Sequence, residues 1–477
     1  MAAAAPTAAP PRIPEASVGP VIERPLPDPP PLRKIVGPSV ILVGVGIASG
    51  EYILFPFIAS QVGLVFLWAA LVGLLTQYFI NMEIERYTLA TGETAITGFQ
   101  RLWKPFGLLM VACAIIPNMW PAWVTSAATI TTFLFGGGDP NAIAIIALFV
   151  IGAALSASPV VYQTIEKLEF VKVALVLVFL VVALVSAVTA TGWSDTTQVV
   201  TSFGTFPGDL SVAVLLGALA YAGAGGTNNL VLSNWIRDKG YGMGKYAPRI
   251  VSPLTGQEEA APSGKGYVFR PDEENLARWR LWWKRANIEQ FFSFFVIGAL
   301  TIVVFSMVAY STVFENPAVQ EDNFDFIQVE GNALKDSVGA WFGNLFWVIG
   351  AISLFGAALG IIDYVSRLVA DVLRVGYLQE SKRWTESKIY FVVVWGIIAF
   401  GTAILLSGFD QPLTLVVLAA ALSGGVMFIY SMLLIAINRR FMPEPLKIRG
   451  IRLLVLAWAV ALFGVMSVLV VIDEAGW

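Results

Sequence analysis

Apolar stretches of about 20 residues, the length that crosses a bilayer, recur along this chain from Ile35 to the C-terminus. Nothing else limits its folding so strongly. A segment surrounded by lipid must satisfy its own backbone, which only helices and closed barrels do. The spans fall near 37–60, 63–89, 105–135, 141–158, 168–192, 211–236, 287–313, 338–362, 387–408, 411–437 and 450–473. The expected fold class is therefore an all-α polytopic membrane protein with about eleven transmembrane helices. Only 13% of the 477 residues are charged, roughly half the ~25% of soluble domains. There is no histidine, and the single cysteine, Cys113, lies in an apolar run. That excludes internal disulfides, Cys/His zinc sites, histidine haem ligation and histidine proton relays. No cofactor, nucleic-acid partner or enzymatic nucleophile–base pair is implied. Chemistry must run on carboxylates, amides, hydroxyls and backbone.

Lys and Arg placement orients the spans. Basic residues crowd the connections between spans six and seven (Arg237 to Arg285), eight and nine (Arg374 to Lys388) and ten and eleven (Arg439 to Arg449). The opposite connections are acidic or neutral, with Asp139, Asp195, Asp209, Glu315, Asp325 and Glu330. A multi-pass protein of the cell (inner) membrane with a cytoplasmic N-terminus is expected. Residues 1–34, Ala- and Pro-rich, lack the pattern of a secretory signal and read as an extended or disordered cytoplasmic tail. Residues 35–477 form the transmembrane domain, with a cytoplasmic insert at 237–286. The end of that insert, with Trp279, Trp282 and Trp283, reads as an interfacial helix anchored at the membrane surface.

Two spans are interrupted. Gly46-Ile47-Ala48-Ser49-Gly50-Glu51-Tyr52 breaks the first, and Gly223-Ala224-Gly225-Gly226-Thr227-Asn228-Asn229 breaks the sixth. Backbone freed at membrane depth must meet protein, water or a ligand. Paired breaks in corresponding positions of two halves point to a transporter's binding site. Span one leaves the cytoplasm and span six returns to it, the relation of an inverted five-plus-five repeat. The first repeat covers about 35–192, the second about 211–437, and an extra helix follows at 450–473. Substrate-binding candidates are Ala48, Ser49, Gly50, Glu51, Gly223, Gly226, Thr227, Asn228 and Asn229. Glu51, an intramembrane acid beside Gly50, is the sharpest, because an unpaired carboxylate in a bilayer is costly.

Elsewhere, Glu83 is a proton-carrier or gate candidate, equally readable as an interfacial ion pair with a nearby base. Pro117-Asn118-Met119-Trp120-Pro121 should kink span three and turn Asn118 toward the cavity. Asp363, Arg367 and Asp371 read as a solvated helix face, and Glu166, Lys167 and Glu169 as surface charges.

Gly37-Pro38 opening span one, Gln77 followed by Thr91-Gly92, and Asn438-Arg439-Arg440 with Met442-Pro443 agree in order and spacing with one family. On these residues the chain resembles the NRAMP family of proton-coupled divalent metal transporters, within the wider LeuT/APC fold. The family's Asp-Pro-Gly-Asn aligns with Ala48-Ser49-Gly50-Glu51, and its Met-Pro-His-Asn with Gly226-Thr227-Asn228-Asn229. The family's metal-binding Asp, thioether and His are thus absent, and a carboxylate is kept three positions on, at Glu51. The resemblance implies a secondary transporter moving a cation by alternating access, with proton coupling. On this resemblance Glu51 and Asn229 would be its metal ligands. An all-oxygen site favours a hard ion such as Mg²⁺ over soft transition metals. Gly46 to Gly50 followed by Phe55-Pro56 is also similar to the first span of amino-acid permeases, which implies an amino acid or small amine as cargo. A third reading is a membrane sensor that binds without transporting.

Overall fold

The computed structural model describes residues 13–15, 18–157, 161–247, 266–319 and 324–475. Among the described residues, nine continuous helical stretches are long and apolar enough to cross a membrane. The first, Pro38–Thr91, holds two spans, because a turn at Gly63–Phe66 separates Phe55–Val62 from Leu67–Thr91. Span six escapes the criterion because it is cut into Val212–Ala220 and Gly226–Lys239. The rest are span three (Pro105–Asn118 and Ala122–Phe135), four (Pro140–Ala157), five (Val161–Ser186), seven (Glu273–Val313), eight (Ala340–Gly376), nine (Glu386–Leu406), ten (Pro412–Arg440) and eleven (Ile451–Glu474).

The packing carries the inverted repeat. The first half of span one lies on span five, as the first half of span six lies on span ten. The second half of span one lies on span seven, and the second half of span six on span two. Each broken helix thus bridges the two repeats in opposite senses. Span eleven lies outside, against span ten, with Leu454, Val468 and Val471 turned outward.

Three expectations about the basic face are corrected. Residues 18–34 are not a disordered tail but a strap laid along the start of span seven. Val21–Glu23 pairs in parallel with Gly266–Val268. Asn275 Oδ1 accepts from Leu26 N (2.9 Å), Trp282 Nε1 donates to the Pro27 carbonyl (2.7 Å), and Arg285 donates to those of Pro29 and Pro30. A proline-rich segment has carbonyls without internal partners, and here side-chain donors satisfy them. Residues 1–12 lie outside the described residues. Trp279 and Trp282, read as surface anchors, are instead buried inside the protein, Trp282 against that strap and Trp279 against Phe269 and Trp283. Of the insert, residues 248–265 lie outside the described residues.

The third correction concerns Asp363, Arg367 and Asp371, which are buried, not solvated. Span eight runs on as one helix to Gly376 and carries them inside the protein. Arg367 bonds Asp363 and Asp238 at 2.7 Å each, and Arg237 bonds Asp371 at 2.6 Å. Tyr390 donates to Asp363 (2.6 Å) and Thr94 to Asp371 (2.8 Å). The network ties the end of span six to spans eight and nine.

Candidate functional site

The first break is a tight reversal. Span one's initial helix stops at Gly46, and Ile47 (φ −65°, ψ 70°) lets Ala48 N bond the Gly46 carbonyl at 2.6 Å, an inverse γ-turn. A π-helical turn, Gly50–Leu54, follows before regular helix resumes at Phe55. In the second break, Gly223, Gly225 and Gly226 hold φ of +104°, +74° and +54°, values side chains disfavour. The breaks abut. A Cβ on Gly46 would lie 1.6 Å from the Gly223 carbonyl oxygen, and one on Gly50 would lie 1.8 Å from that of Tyr221.

Gln77 of span two holds the second break in place. Its Oε1 accepts from Ala224 N (3.1 Å) and Gly225 N (3.0 Å), and its Nε2 donates to the Ala220 carbonyl (2.9 Å). These backbone partners fix which end of the amide is oxygen. That in turn fixes Asn229, whose Nδ2 donates to Gln77 Oε1 (3.3 Å) and Asn81 Oδ1 (2.9 Å). Asn229 Oδ1 is left without a partner. Gln77 entered the sequence reading only as part of a family resemblance. A lone glutamine in a helix gives no sign that it will brace a broken neighbour.

Glu51 is fully buried, and neither carboxylate oxygen has a hydrogen-bond partner. Its nearest sources of positive potential are the backbone N–H groups of Glu51 and Ala48 and the charge of Lys172. Lys172 pairs with Glu169 at 2.6 Å, both buried, so Glu169 is not the surface charge expected. Its carboxylate fills the space beside Gly44 of span one, and Lys172 lies against Gly356 of span eight. Glu166 pairs with Lys239 (2.5 Å), and Lys167 is exposed.

On the opposite flank, the Pro117–Pro121 segment interrupts span three as expected, between Asn118 and Ala122. Asn118 accepts from Tyr364 (2.7 Å) and donates to Thr227 (3.4 Å). Tyr221 and Ser423 share a hydrogen bond at 3.2 Å. Both amide atoms of the buried Asn228 are unpartnered. The structure thus joins Asn118 to Thr227 and Asn229 to Gln77. Among the described residues no hydrogen bond links Glu51 to either group, and Gly50 meets span six through its backbone, at the Tyr221 carbonyl. Glu83 is bound by Arg86 (2.6 Å) and Arg452 (3.3 Å), the ion-pair reading of that residue. A cavity of ≈ 640 Å³ lies between spans six, ten and eleven, lined by residues such as Leu216 and Val417, and one of ≈ 820 Å³ lies between the start of span six and span eleven, lined by residues such as Leu215 and Val465; neither is lined by a residue of either break.

No family model and no curated protein matches the chain. Solved structures do. A mutant form of the manganese transporter of Eremococcus coleocola superposes with a TM-score of 0.64 at 12% identity, over 92% of this chain and 85% of that one. Mhp1, a nucleobase-cation-symport-1 family transporter, gives 0.53 at 13% identity over 98% and 93%. MhsT, in complex with L-phenylalanine, gives 0.50 at 13% identity over 91% and 97%. Together with the span pairing, these likenesses define the architecture. It is a LeuT-type fold of two inverted five-helix repeats with one added helix.

Proposed function

We propose that this chain is an NRAMP-like secondary transporter that moves a hard cation by alternating access, with Glu51 as the charged ligand. One observation carries the reading. Each broken helix carries buried acceptors without a hydrogen-bond partner: Glu51 Oε1 and Oε2 on span one and Asn229 Oδ1 on span six. Buried acceptors without partners are costly, and a cation satisfies several at once. The set is all oxygen, as Mg²⁺ prefers; no thioether or imidazole contributes. The Glu169–Lys172 pair beside it supplies no net charge, so Glu51 remains the counter-charge of the cargo. The protein sits in the cell membrane with its basic face, and hence its N-terminus, in the cytoplasm. Protons are the coupling ion in this reading.

Calorimetric titration of purified protein with Mg²⁺, Mn²⁺ and a panel of amines tests it. Mg²⁺ should bind wild type, and Glu51→Gln should abolish that heat while leaving the unfolding temperature intact. Binding unchanged in Glu51→Gln would sink the assignment. Heat from amines alone would favour an amine or amino-acid cargo. Binding without uptake into liposomes would favour a sensor.

A further inference from the structure

Every residue from Arg24 to Pro31 is a proline or precedes one. Proline fixes its own φ at about −65° and keeps the residue before it out of the helical region. The segment is therefore extended before it touches anything, and at Pro31 it has φ −57° and ψ 150°, the values of polyproline II. A chain in that form has no internal hydrogen bonds, and its prolines offer carbonyls only.

One stripe of the helix Glu273–Gln290, which leads into span seven, receives it. Asn275, Arg278, Trp282 and Arg285 follow one another at intervals of three, four and three residues, so they share a helix face. They meet the strap in the same order. Asn275 Oδ1 accepts from Leu26 N, and Arg278 donates to the Leu26 carbonyl (3.2 Å) and to Asp28 (2.8 Å). Trp282 donates to the Pro27 carbonyl, and Arg285 to those of Pro29 and Pro30. The stripe rises about 15 Å from Asn275 to Arg285, and polyproline II about 12 Å from Leu26 to Pro30, so the two stay in register. Aromatic rings flank the contact. Tyr241 lies 5.7 Å from Trp282, and Tyr246 donates to the Pro25 carbonyl (3.0 Å). Grooves lined by aromatic rings are a recurring means of recognising proline-rich peptides.

The strap is lightly attached. Between Arg24 and Lys34 only the Leu26 side chain is buried. Upstream, the segment crosses the basic face: Gln379, after span eight, donates to the Val18 carbonyl (3.1 Å), and Arg101, before span three, to that of Gly19 (3.2 Å). Downstream, a single 3₁₀ turn, Leu32–Lys34, leads to the start of span one at Pro38.

We propose that this stripe is a polyproline-binding groove and that residues 24–31 are its releasable ligand, a latch tying the start of span one and the end of span eight to span seven. A pre-extended segment loses little freedom on docking. Its tether holds it near the groove at an effective concentration on the order of millimolar, so the docked form is the resting one. Release empties the groove and frees the half of span one that carries Gly46 against Gly223. The latch role rests on the carrier reading; the groove does not.

A fluorescent peptide of residues 20–33 is the probe, added to the full-length protein and followed by anisotropy. Leu26→Asp places a charge at the strap's one buried side chain, so this variant should release the strap and bind the peptide. Wild type, its groove occupied, should bind about tenfold more weakly or worse. Adding Arg285→Gln to Leu26→Asp should weaken peptide binding, as should Pro27→Ala and Pro29→Ala in the peptide. A second full-length variant, Pro27→Gly with Pro29→Gly, keeps Leu26 and only loosens the strap; it should bind the peptide to an intermediate degree. Equal binding by wild type and both variants, or none by any of them, overturns the groove. Loss of folded protein in both variants overturns it too, because the strap is then part of the fold. In liposomes, Leu26→Asp should raise the initial rate of Mg²⁺ uptake about twofold or more; an unchanged rate overturns the latch. If wild type and variant both take up no Mg²⁺, the carrier reading falls, and peptide binding still decides the groove.

Discussion

Gly46 of span one and Gly223 of span six meet backbone to backbone, so closely that a single methyl group between them would stand 1.6 Å from the Gly223 carbonyl oxygen. The two interruptions are therefore one structural unit, in which the Gly223 and Tyr221 carbonyls of span six fill the space that side chains at Gly46 and Gly50 would need. Gly46→Ala must force the broken helices apart, at a cost of about 1–3 kcal/mol or more for overpacking. Gly223→Ala adds the strain of a side chain at φ +104°, about 1–2 kcal/mol. Both variants should unfold at lower temperature in detergent and bind Mg²⁺ more weakly. An unchanged unfolding temperature for Gly46→Ala would show that the helices are not in contact there.

Gln77 is the second expected point of failure. Removing its amide leaves the Ala224 and Gly225 N–H groups and the Ala220 carbonyl without their partner, each worth about 1–3 kcal/mol when buried. Gln77→Leu should lower both thermal stability and Mg²⁺ affinity. Gln77→Glu keeps an acceptor for the two N–H groups but loses the donor to Ala220, so it should lie between wild type and Gln77→Leu. Equal stability of the two variants would show that the acceptor end contributes nothing.

The breaks were legible because glycine runs inside apolar spans have few other uses, and the span count was legible from hydropathy alone. Gln77 was hidden for a geometric reason: its partners lie on span six, and sequence spacing within span two carries no trace of them. Asp363 and Arg367 show a different limit. An acid and a base four apart have the same spacing on a solvated helix and in a buried network, and only the unbroken run of span eight to Gly376 decides which. The pair Glu169 and Lys172 was misread likewise, since charges at the start of a span look interfacial until a neighbouring glycine, here Gly44, makes room for them. For Trp279 and Trp282, membrane belt and interior have the same composition. The strap that meets Trp282 comes from a proline-rich segment with no hydrophobic periodicity.

Arg367 should prove indispensable to folding. It is buried between Asp363 and Asp238, and removing one partner of a buried ion pair costs about 3–5 kcal/mol because the other charge stays behind. Arg367→Ala should therefore be strongly destabilised. The double variant Arg367→Leu with Asp363→Leu should recover part of the loss, since only Asp238 is then left without that partner. Thermal unfolding of the single and double variants measures this. A double variant no more stable than Arg367→Ala would show that stranded charge is not the cause.

Glu330 provides a test by pH on the acidic face. It lies on the helix Phe326–Ser337, outside the spans, is 1% exposed, and has no hydrogen-bond partner at either oxygen. The base on the same helix, Lys335, sits over the Trp347 ring at 3.9 Å. Burial alone pushes the Glu330 carboxyl well above the usual carboxylate range. The folded chain therefore keeps this proton at pH values where the unfolded chain, near about 4.3, has lost it. Between those two values the folded state binds more protons, so stability falls as pH rises. The contribution is complete below the unfolded value and lost as pH climbs through the folded one. Glu330→Gln, neutral throughout, should remove that slope, leaving the variant relatively more stable at neutral pH, by about 1.4 kcal/mol for each unit of displacement. Unfolding temperatures of the two proteins across a pH series should diverge upward from the acid end. Parallel curves would mean that Glu330 is ionised and solvated in the folded protein.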